Sequence, residues 1–250
     1  MRWIYLSPHF DDAVLSCGGL IYGQTHPPVE TLQSDVSTEI WTILAGDPPP
    51  GPLSEFASQS HALWGVASGQ DMVAMRRAED EAAAAIVGAD LVHFELPDCI
   101  YRRSSAGEVL YPETVMTSPH PSERRFPIRI ANALRSELRP DDVLVCPLSL
   151  GGHVDHILVR RAAEALHRPL FYYADVPYIL NYPQTLAPAI RALESQLYRV
   201  SETGLEAWLE GVSAYRSQVA SLYKGDHGTL YDAIRSYWAA EGGIRLWRTG

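Results

Sequence analysis

Five short apolar runs, each followed by a polar turn and then a helical pattern, recur through the first 180 residues. The predicted strands cover residues 2–6, 39–45, 91–96, 142–147 and 170–174. Strands that alternate with helices pair in parallel and are joined by right-handed crossovers. The pattern therefore predicts an α/β fold, namely a Rossmann-like, mostly parallel sheet with helices on both faces. Gly18-Gly19 in the first predicted helix indicates close packing against this sheet.

The pattern weakens beyond residue 180 and indicates additions to the same unit. It predicts an edge strand at 197–200, helices at 202–223 and 231–240, and a last short strand at 244–247. No internal repeat or low-complexity segment interrupts the chain. We expect residues 1–250 to form a single domain, with a core at about 1–180 and a C-terminal strand and helices at 181–250.

Charge and hydropathy exclude several classes of partner. The net charge is −10 without any block of lysine or arginine, which argues against nucleic acid or an anionic membrane as the main partner. No apolar run approaches the ~20 residues of a membrane helix, and no secretory leader pattern is visible. Cys17, Cys99 and Cys146 form no CxxC pair. We expect buried free thiols in a reducing compartment, and hence a cytoplasmic protein.

Polar side chains suited to chemistry follow each of the five predicted strands. In open α/β sheets, ligands bind beyond the carboxyl ends of the strands, and those ends share one edge. We therefore expect these side chains to meet in one site. They are His9, Asp11 and Asp12 after the first strand, Asp47 after the second, Asp98 after the third, His153, Asp155 and His156 after the fourth, and Asp175 after the fifth.

Two imidazoles and one carboxylate in this set match the needs of a hydrolytic zinc site. Such a site takes three protein ligands of nitrogen or oxygen type and leaves a position for water. His9, Asp12 and His156 can supply those ligands. Metal binding lowers the pKa of the water to about 7, and a nearby base must accept its proton. Asp11 suits that role, because it adjoins a ligand but points a different way on the turn.

The second group of residues has the spacing for supporting roles. His153 and His156 are three residues apart, which places both on one face of a first helical turn. His153 then lies beside the substrate carbonyl, where it can stabilise the oxyanion and protonate the leaving amine. Asp155 can hold an imidazole in one tautomer. Two alternatives stay open on the residues alone: the paired aspartates as a helix cap, and the two histidines as a solvated or packed pair.

Three motifs carry a resemblance to a known family. Pro8-His9-Phe10-Asp11-Asp12, Gly18-Gly19 and His153-Val154-Asp155-His156 resemble the PIG-L (LmbE-like) deacetylases, which are zinc-dependent N-acetylglucosaminyl deacetylases and related amidases. The resemblance implies the metal ligands His9, Asp12 and His156, the general base Asp11, and His153 as electrostatic stabiliser or acid, oriented by Asp155. It implies zinc as the cofactor, with Fe²⁺ and other divalent ions as competitors for such donors.

Three further residues are candidates for substrate binding. The resemblance extends to Arg76-x-x-Glu79, whose arginine contacts substrate in the family, and a surface salt bridge is the alternative for Glu79. Asp98 lies in a long irregular loop that can close over substrate. Asp175 can bind a sugar hydroxyl or an ammonium, or serve only as a turn residue. Many family members have glutamate where this chain has Ala13, a position that is not a metal ligand.

These features predict a metal-dependent hydrolase that removes an N-acetyl (or similar acyl) group from an amino sugar or sugar conjugate. The expected partner is a small-molecule N-acylated amino sugar or its conjugate. Alternatives are an amidase acting on a thiol-sugar conjugate or on an aminoglycoside or glycolipid intermediate, and a non-catalytic sugar-binding relative. No GxGxxG motif follows the first strand, which argues against a dinucleotide ligand.

Overall fold

A twisted β-sheet organises the molecule, and the computed structural model describes residues 1–27, 36–65, 69–223 and 228–249. Its strands are β1 (Arg2–Ser7), β2 (Ser37–Thr42), β3 (Asp90–His93), β4 (Val143–Pro147), β5 (Leu170–Tyr173), β6 (Leu193–Arg199) and β7 (Gly243–Thr249). Within the described residues the order is β3-β2-β1-β4-β5-β7-β6. The first five strands pair in parallel, whereas β7 runs antiparallel to β5 and β6. The predicted mostly parallel α/β fold is confirmed.

Two groups of helices cover the sheet. The helices are α1 (Asp12–Thr25), α2 (Glu55–Leu63), α3 (Gly69–Val87), α4 (Phe126–Glu137), α5 (Val154–Glu164), α6 (Tyr178–Asn181), α7 (Leu186–Ala189), α8 (Glu202–Ala214), α9 (Arg216–Leu222) and α10 (Leu230–Glu241). Helix α1 packs against α3 and α8, and α4 packs against α5. The connection after β1 leads to β2 on one side of the sheet centre, and the connection after β4 leads to β5 on the other side. Right-handed crossovers then place the two groups on opposite faces.

The strand order reverses between β1 and β4, which lie side by side at the centre of the sheet. Ile4, Tyr5 and Leu6 of β1 are fully buried, because helices cover this strand on both faces. The loops that leave β1 and β4 diverge at their carboxyl ends. A crevice opens between diverging loops at such a reversal, and it is the usual ligand site of these sheets.

One predicted helix of the C-terminal part is contradicted by the structure. The single helix predicted for residues 202–223 is wrong, because α8 ends and α9 begins on either side of Tyr215. Tyr215 leaves the helical conformation (φ −81°, ψ 58°), and its hydroxyl donates to Asp80 Oδ1 on α3 at 2.8 Å. Strands β6 and β7 extend the same sheet, with β6 longer than the predicted 197–200. The single-domain organisation stays a prediction.

The cysteines are buried and unpaired, as expected. Burial raises the pKa of each thiol well above its ordinary value, so all three stay protonated. In the described parts of the chain, no helix is both long enough and apolar enough to cross a membrane.

Gly18 and Gly19 pack against α8 and not against the sheet, so the predicted partner is wrong. A Cβ on Gly18 would lie 2.6 Å from Trp208 Cδ1, and one on Gly19 would lie 2.7 Å from Val200 Cγ1. The indole N–H of Trp208 also donates to the carbonyl of Leu15 at 3.1 Å. Because neither glycine has a side chain, Trp208 of α8 packs directly against α1, the helix that carries Asp12.

We expect Gly18→Ala to lower the free energy of unfolding by about 1–3 kcal/mol, because the added methyl overpacks the contact with Trp208. Gly23→Ala is the matched control on the same helix, since a Cβ there meets nothing within 4 Å. It should stabilise by up to about 1 kcal/mol through helix propensity. Denaturant unfolding of both variants checks this, and equal stability of the two would contradict the close contact.

Candidate metal centre and active site

Three histidines meet in the crevice between β1 and β4. The ring centroids lie 4.8 Å apart for His9 and His153, 5.5 Å for His9 and His156, and 5.1 Å for His153 and His156. One ring nitrogen from each lies within 4.8 Å of the others, a spacing that suits a shared metal ion. All three side chains are buried. The two motifs, more than 140 residues apart in sequence, therefore form one site.

Asp12 bridges two of these histidines through separate oxygens. Its Oδ2 lies 3.3 Å from His9 Nδ1, and its Oδ1 lies 3.3 Å from His156 Nε2. Zinc bonds of about 2.0–2.2 Å at tetrahedral angles separate neighbouring ligand atoms by about 3.3–3.6 Å. The donor types are those that zinc takes, and each histidine nitrogen lies at ligand spacing from one oxygen of Asp12.

Carboxylates behind the two rings determine which nitrogens face Asp12. His156 Nδ1 lies 2.7 Å from Asp175 Oδ1. His9 Nε2 lies 3.0 Å from Asp155 Oδ2. An ionised carboxylate only accepts, so in the neutral, metal-binding form of each ring the contacted nitrogen carries the single proton and the lone pairs lie on His156 Nε2 and His9 Nδ1. Those nitrogens face Asp12, which is the orientation that a metal ligand needs.

Asp175 does not reach the cavity, contrary to its predicted role in substrate binding. Its side chain is 1% exposed, and its Oδ2 accepts the backbone N–H of Leu150 at 3.1 Å. The other oxygen is held by His156. Both oxygens are engaged inside the protein, so Asp175 is placed to orient His156 and its carboxylate does not line the cavity.

The Asp155 carboxylate orients His9 and not His153, so the predicted pairing is wrong. One oxygen contacts His9 Nε2, and the other accepts from Arg102 Nη2 at 2.6 Å. The contact with His153 runs through the backbone, where the Asp155 N–H donates to His153 Nδ1 at 3.2 Å. Two charged partners thus occupy the carboxylate, and Asp155 is fully buried between them.

Arg102 lies in the segment between β3 and α4 and connects that segment to the candidate metal centre. Local sequence patterns did not reveal this role. Its Nε donates to Glu123 Oε1 at 2.5 Å, and the Tyr111 hydroxyl donates to the other oxygen of Glu123. Burial opposes the charge of Asp155, but Arg102 and His9 hold the pKa of that carboxyl well below its usual range. A continuous buried chain, Glu123–Arg102–Asp155–His9, therefore ends on a candidate metal ligand.

Asp11 keeps its carboxylate free for chemistry. It stands at the N-cap of α1 but makes no side-chain cap hydrogen bond, so the helix-cap interpretation does not explain it. The Ser7 hydroxyl accepts the N–H of Ala13 at 3.0 Å instead. Burial, and then the neighbouring charge of Asp12, raise the pKa of Asp11 to about 6. A carboxylate with a raised pKa at the edge of a metal site is suited to accept a proton at neutral pH.

Arg76 is held in the cavity wall between two aromatic rings. Its guanidinium lies 5.1 Å from the ring centroid of Phe10 and 5.2 Å from that of Trp64. Its Nη2 is 3.8 Å from Asp11 Oδ2, and its Nε is buried without a hydrogen-bond partner. Glu79 does not pair with Arg76, because its carboxylate accepts from the N–H and hydroxyl of Ser217 at 2.9 and 2.7 Å. Arg76 therefore has hydrogen-bonding capacity left for a ligand.

His153 presents a donor to the cavity. Burial, and then the positive charge of His9 and His156, lower the pKa of His153 well below its ordinary value, so the ring is neutral. Its Nδ1 already accepts from the Asp155 N–H, which places the single ring proton on Nε2. A neutral imidazole with Nε2–H can donate to a carbonyl oxygen as negative charge develops there.

The cavity over these groups has a volume of about 270 Å³. Asp98 lies at its wall, with Oδ2 3.8 Å from His9 Nε2 and Oδ1 accepting from the Ile100 N–H at 3.1 Å. The polar lining is His9, Asp11, Asp12, Ser60, Arg76, Asp98, His153, His156 and Gln218, and the apolar lining is Phe56, Trp64, Ile100, Val115, Met116, Pro177, Tyr178 and Leu222. The candidate catalytic groups therefore share this cavity with a comparable number of apolar side chains. Among the side chains predicted to meet here, Asp47, Asp155 and Asp175 are absent from this lining, and the prediction is wrong for Asp47, which is exposed after β2.

The charge balance of the donors favours a bound cation. Burial opposes protonation of His9, but the carboxylates of Asp98, Asp12 and Asp155 together raise its pKa well above the ordinary value. Burial likewise opposes protonation of His156, and Asp12 and Asp175 raise its pKa to about 9. Carboxylates therefore surround both rings with negative potential. A divalent cation relieves that potential directly.

The fold and the donors together define a metal-dependent hydrolase of α/β architecture. The chain belongs to the PIG-L family, because the family model described as GlcNAc-PI de-N-acetylase matches residues 4–167, which is more than half of the chain. Both motifs and all three candidate metal ligands lie within that match. The resemblance noted from the sequence is confirmed.

Similar proteins carry deacetylase names. The chain is 25% identical over 269 residues to a 2'-N-acetylparomamine deacetylase of Niallia circulans, covering 98% of this chain and 93% of that protein. The zinc-inhibited form of teicoplanin deacetylase Orf2 matches with a TM-score of 0.82 and 26% identity, covering 99% of this chain and 97% of Orf2. The A40926 pseudoaglycone deacetylase Dbv21 matches with a TM-score of 0.75 and 26% identity, covering 99% and 96%.

Proposed function

We propose that this chain is a cytoplasmic, zinc-dependent N-deacetylase that removes an acetyl group from an amino sugar within a larger conjugate. The observation that carries the proposal is the donor geometry. His9 Nδ1 and His156 Nε2 each lie 3.3 Å from one oxygen of Asp12, and the uncommitted carboxylate of Asp11 adjoins them. Similarity to deacetylases named for 2'-N-acetylparomamine, teicoplanin and the A40926 pseudoaglycone supports the substrate class. Three buried free thiols support a reducing compartment.

His9, Asp12 and His156 would hold the zinc ion. Bound zinc lowers the pKa of water to about 7 and polarises a carbonyl oxygen. Asp11 accepts the proton of the attacking water and carries it to the amide nitrogen, which then leaves as an amine. His153 donates its Nε2–H to the carbonyl oxygen, where negative charge accumulates. Asp155 and Asp175 keep the two ligand rings in the required tautomers.

Arg76 and Asp98 are proposed to position the sugar. Both line the cavity beside the catalytic groups, and the two residues are only 6% and 8% exposed. The guanidinium of Arg76 donates to a sugar oxygen, and Asp98 accepts from a sugar hydroxyl. The rings of Phe10 and Trp64 hold the guanidinium in place, which limits the entropy lost on binding.

The test measures acetate release from N-acetylglucosamine, its aryl glycosides and larger acetylated sugar conjugates, together with metal content. We expect about one zinc ion per chain, turnover of at least one conjugate, and loss of turnover after chelation. Stoichiometric zinc should restore turnover, and chelator preloaded with zinc serves as the control. Protein that carries no divalent metal and releases no acetate from any member of the panel would refute the proposal and favour a sugar-binding role.

A further inference from the structure

A second cavity lies beside the catalytic one, on the far side of the short turn at Cys99–Tyr101. Its volume is about 710 Å³. Four arginines line it, Arg102, Arg103, Arg125 and Arg129, and Phe126 lies among them. We call this cavity the arginine groove. It stands out in a chain whose net charge is −10.

Three of the four positive charges in the groove are not neutralised. Arg102 is paired with Glu123 and Asp155 and so contributes no free charge. Across the described residues, no carboxylate lies within salt-bridge distance of Arg103, Arg125 or Arg129. Glu123 also lines the groove, but Arg102 and a tyrosine hydroxyl occupy its oxygens.

Arg103 is fixed in place without being neutralised. Its Nη1 donates to the carbonyl of Gly107 at 3.1 Å, and its Nη2 donates to the carbonyl of Pro52 at 3.0 Å. Carbonyl oxygens hold the guanidinium but carry no formal charge. The guanidinium of Arg103 is therefore already fixed between two loops. This lowers the conformational entropy that is lost when an anion binds.

Arg125 and Arg129 add two charges from one side of α4. They are four residues apart, so their side chains emerge on the same face of the helix. Like charges at this spacing repel, and the first turn of α4 contains no acidic residue to offset them. An anion bound between these arginines removes that repulsion.

The arginine groove adjoins the catalytic cavity through one wall. Ile100 lines the catalytic cavity and also a small cavity of about 130 Å³, whose lining includes the proline-rich residues 48–52. Tyr101, Arg102 and Arg103 line both that small cavity and the arginine groove. Residues 100–103 therefore separate the two cavities, and a conjugate with its acetylated sugar at the metal centre reaches the groove by extending over this stretch.

We propose that the arginine groove is a substrate subsite that binds an anionic group, a carboxylate or a phosphate, carried by the conjugate at a distance from the acetylated sugar. This proposal rests on the proposed deacetylase function. It narrows the substrate class to acidic conjugates and disfavours polycationic ones, which three uncompensated arginines repel. Phe126 and the prolines of the groove favour an apolar or aromatic linker to the anion.

The test uses matched pairs of aryl N-acetylglucosaminides with three spacer lengths. In each pair one glycoside ends in a carboxylate and the other in the neutral carboxamide, and a third series ends in a phosphate. We expect the wild-type protein to turn over an acidic member with kcat/KM about tenfold above its neutral partner. Added salt should reduce this preference, because surface charges are screened. The relative response of the carboxylate and phosphate series identifies the preferred anion.

The decisive variant is Arg125→Gln/Arg129→Gln, which removes two exposed charges and leaves the neutral glycosides unaffected. It should abolish the acidic preference through KM, with kcat retained. Arg191→Gln/Arg235→Gln removes the same charge elsewhere on the surface and should keep the preference. Equal kcat/KM for acidic and neutral members at every spacer length in the wild-type protein overturns the subsite.

A failure of the proposed function has a different signature. In that case wild-type protein releases acetate from neither member of any pair. Calorimetric measurement of the binding of the same glycosides then tests the anion subsite independently of catalysis. Tighter binding of acidic members, lost in Arg125→Gln/Arg129→Gln, supports the anion subsite, and equal binding of acidic and neutral members overturns it.

Discussion

Replacing Asp11 by asparagine is expected to lower kcat by about 10²–10⁴-fold while the metal content of the protein stays unchanged. Asparagine keeps the shape of the side chain but cannot accept the proton of the attacking water. Asp11 makes no cap hydrogen bond to α1, so the substitution removes none from the helix end. The donors His9, Asp12 and His156 remain in place, so zinc should still bind.

Steady-state kinetics and metal analysis of Asp11→Asn check this expectation together. Asp90→Asn is the control, because Asp90 is exposed at the start of β3, away from the crevice, and both quantities should match the wild type. A near-wild-type kcat in Asp11→Asn would assign the proton transfer to another group. Loss of metal would show instead that Asp11 belongs to the ligand set.

Replacing Arg102 by methionine is expected to lower the free energy of unfolding by about 3–5 kcal/mol, because it leaves Asp155 and Glu123 buried without their cation. A second effect should appear at the metal. Asp155 without Arg102 no longer holds His9 in one orientation, and loss of such support typically weakens metal affinity by about 10–100-fold.

Denaturant unfolding measures the first effect, and competition with a chelator measures the second. Arg235→Met is the matched control, because Arg235 forms an exposed pair with Glu206 at 3.0 Å, and its loss should cost under about 1 kcal/mol with metal affinity intact. Arg102→Lys should recover part of both effects. If Arg102→Met loses stability but binds zinc as the wild type does, Arg102 supports the loop only and does not position His9.

The meeting of the candidate metal-site residues was predictable because its signal is local. His9, Asp11 and Asp12 directly follow a buried strand, and His153 and His156 stand at a helix start after another. Parallel pairing brings the carboxyl ends of such strands to one edge, so position in the chain implied proximity in space. The sheet and its parallel strands followed from the same alternation.

The supporting contacts were not predictable because their partners are distant in sequence. Asp155 meets His9 and Arg102 across separations of 146 and 53 residues, and no local pattern distinguishes these partners from the adjacent His153. From the sequence alone, Asp175 can be interpreted as a turn residue, and only the structure shows its contact with His156. The break at Tyr215 has the same origin, since a buried carboxylate on α3 captures its hydroxyl.

The packing of Trp208 against Gly18 limits how chimeric proteins can be built from this chain and its relatives. The family match ends at residue 167, yet the helix that carries Asp12 is held by a tryptophan 41 positions further along the chain. A chimera that takes its last third from another deacetylase would pair this glycine face with a foreign side chain. Recombination points after residue 167 should therefore succeed only when both halves of that contact come from the same parent.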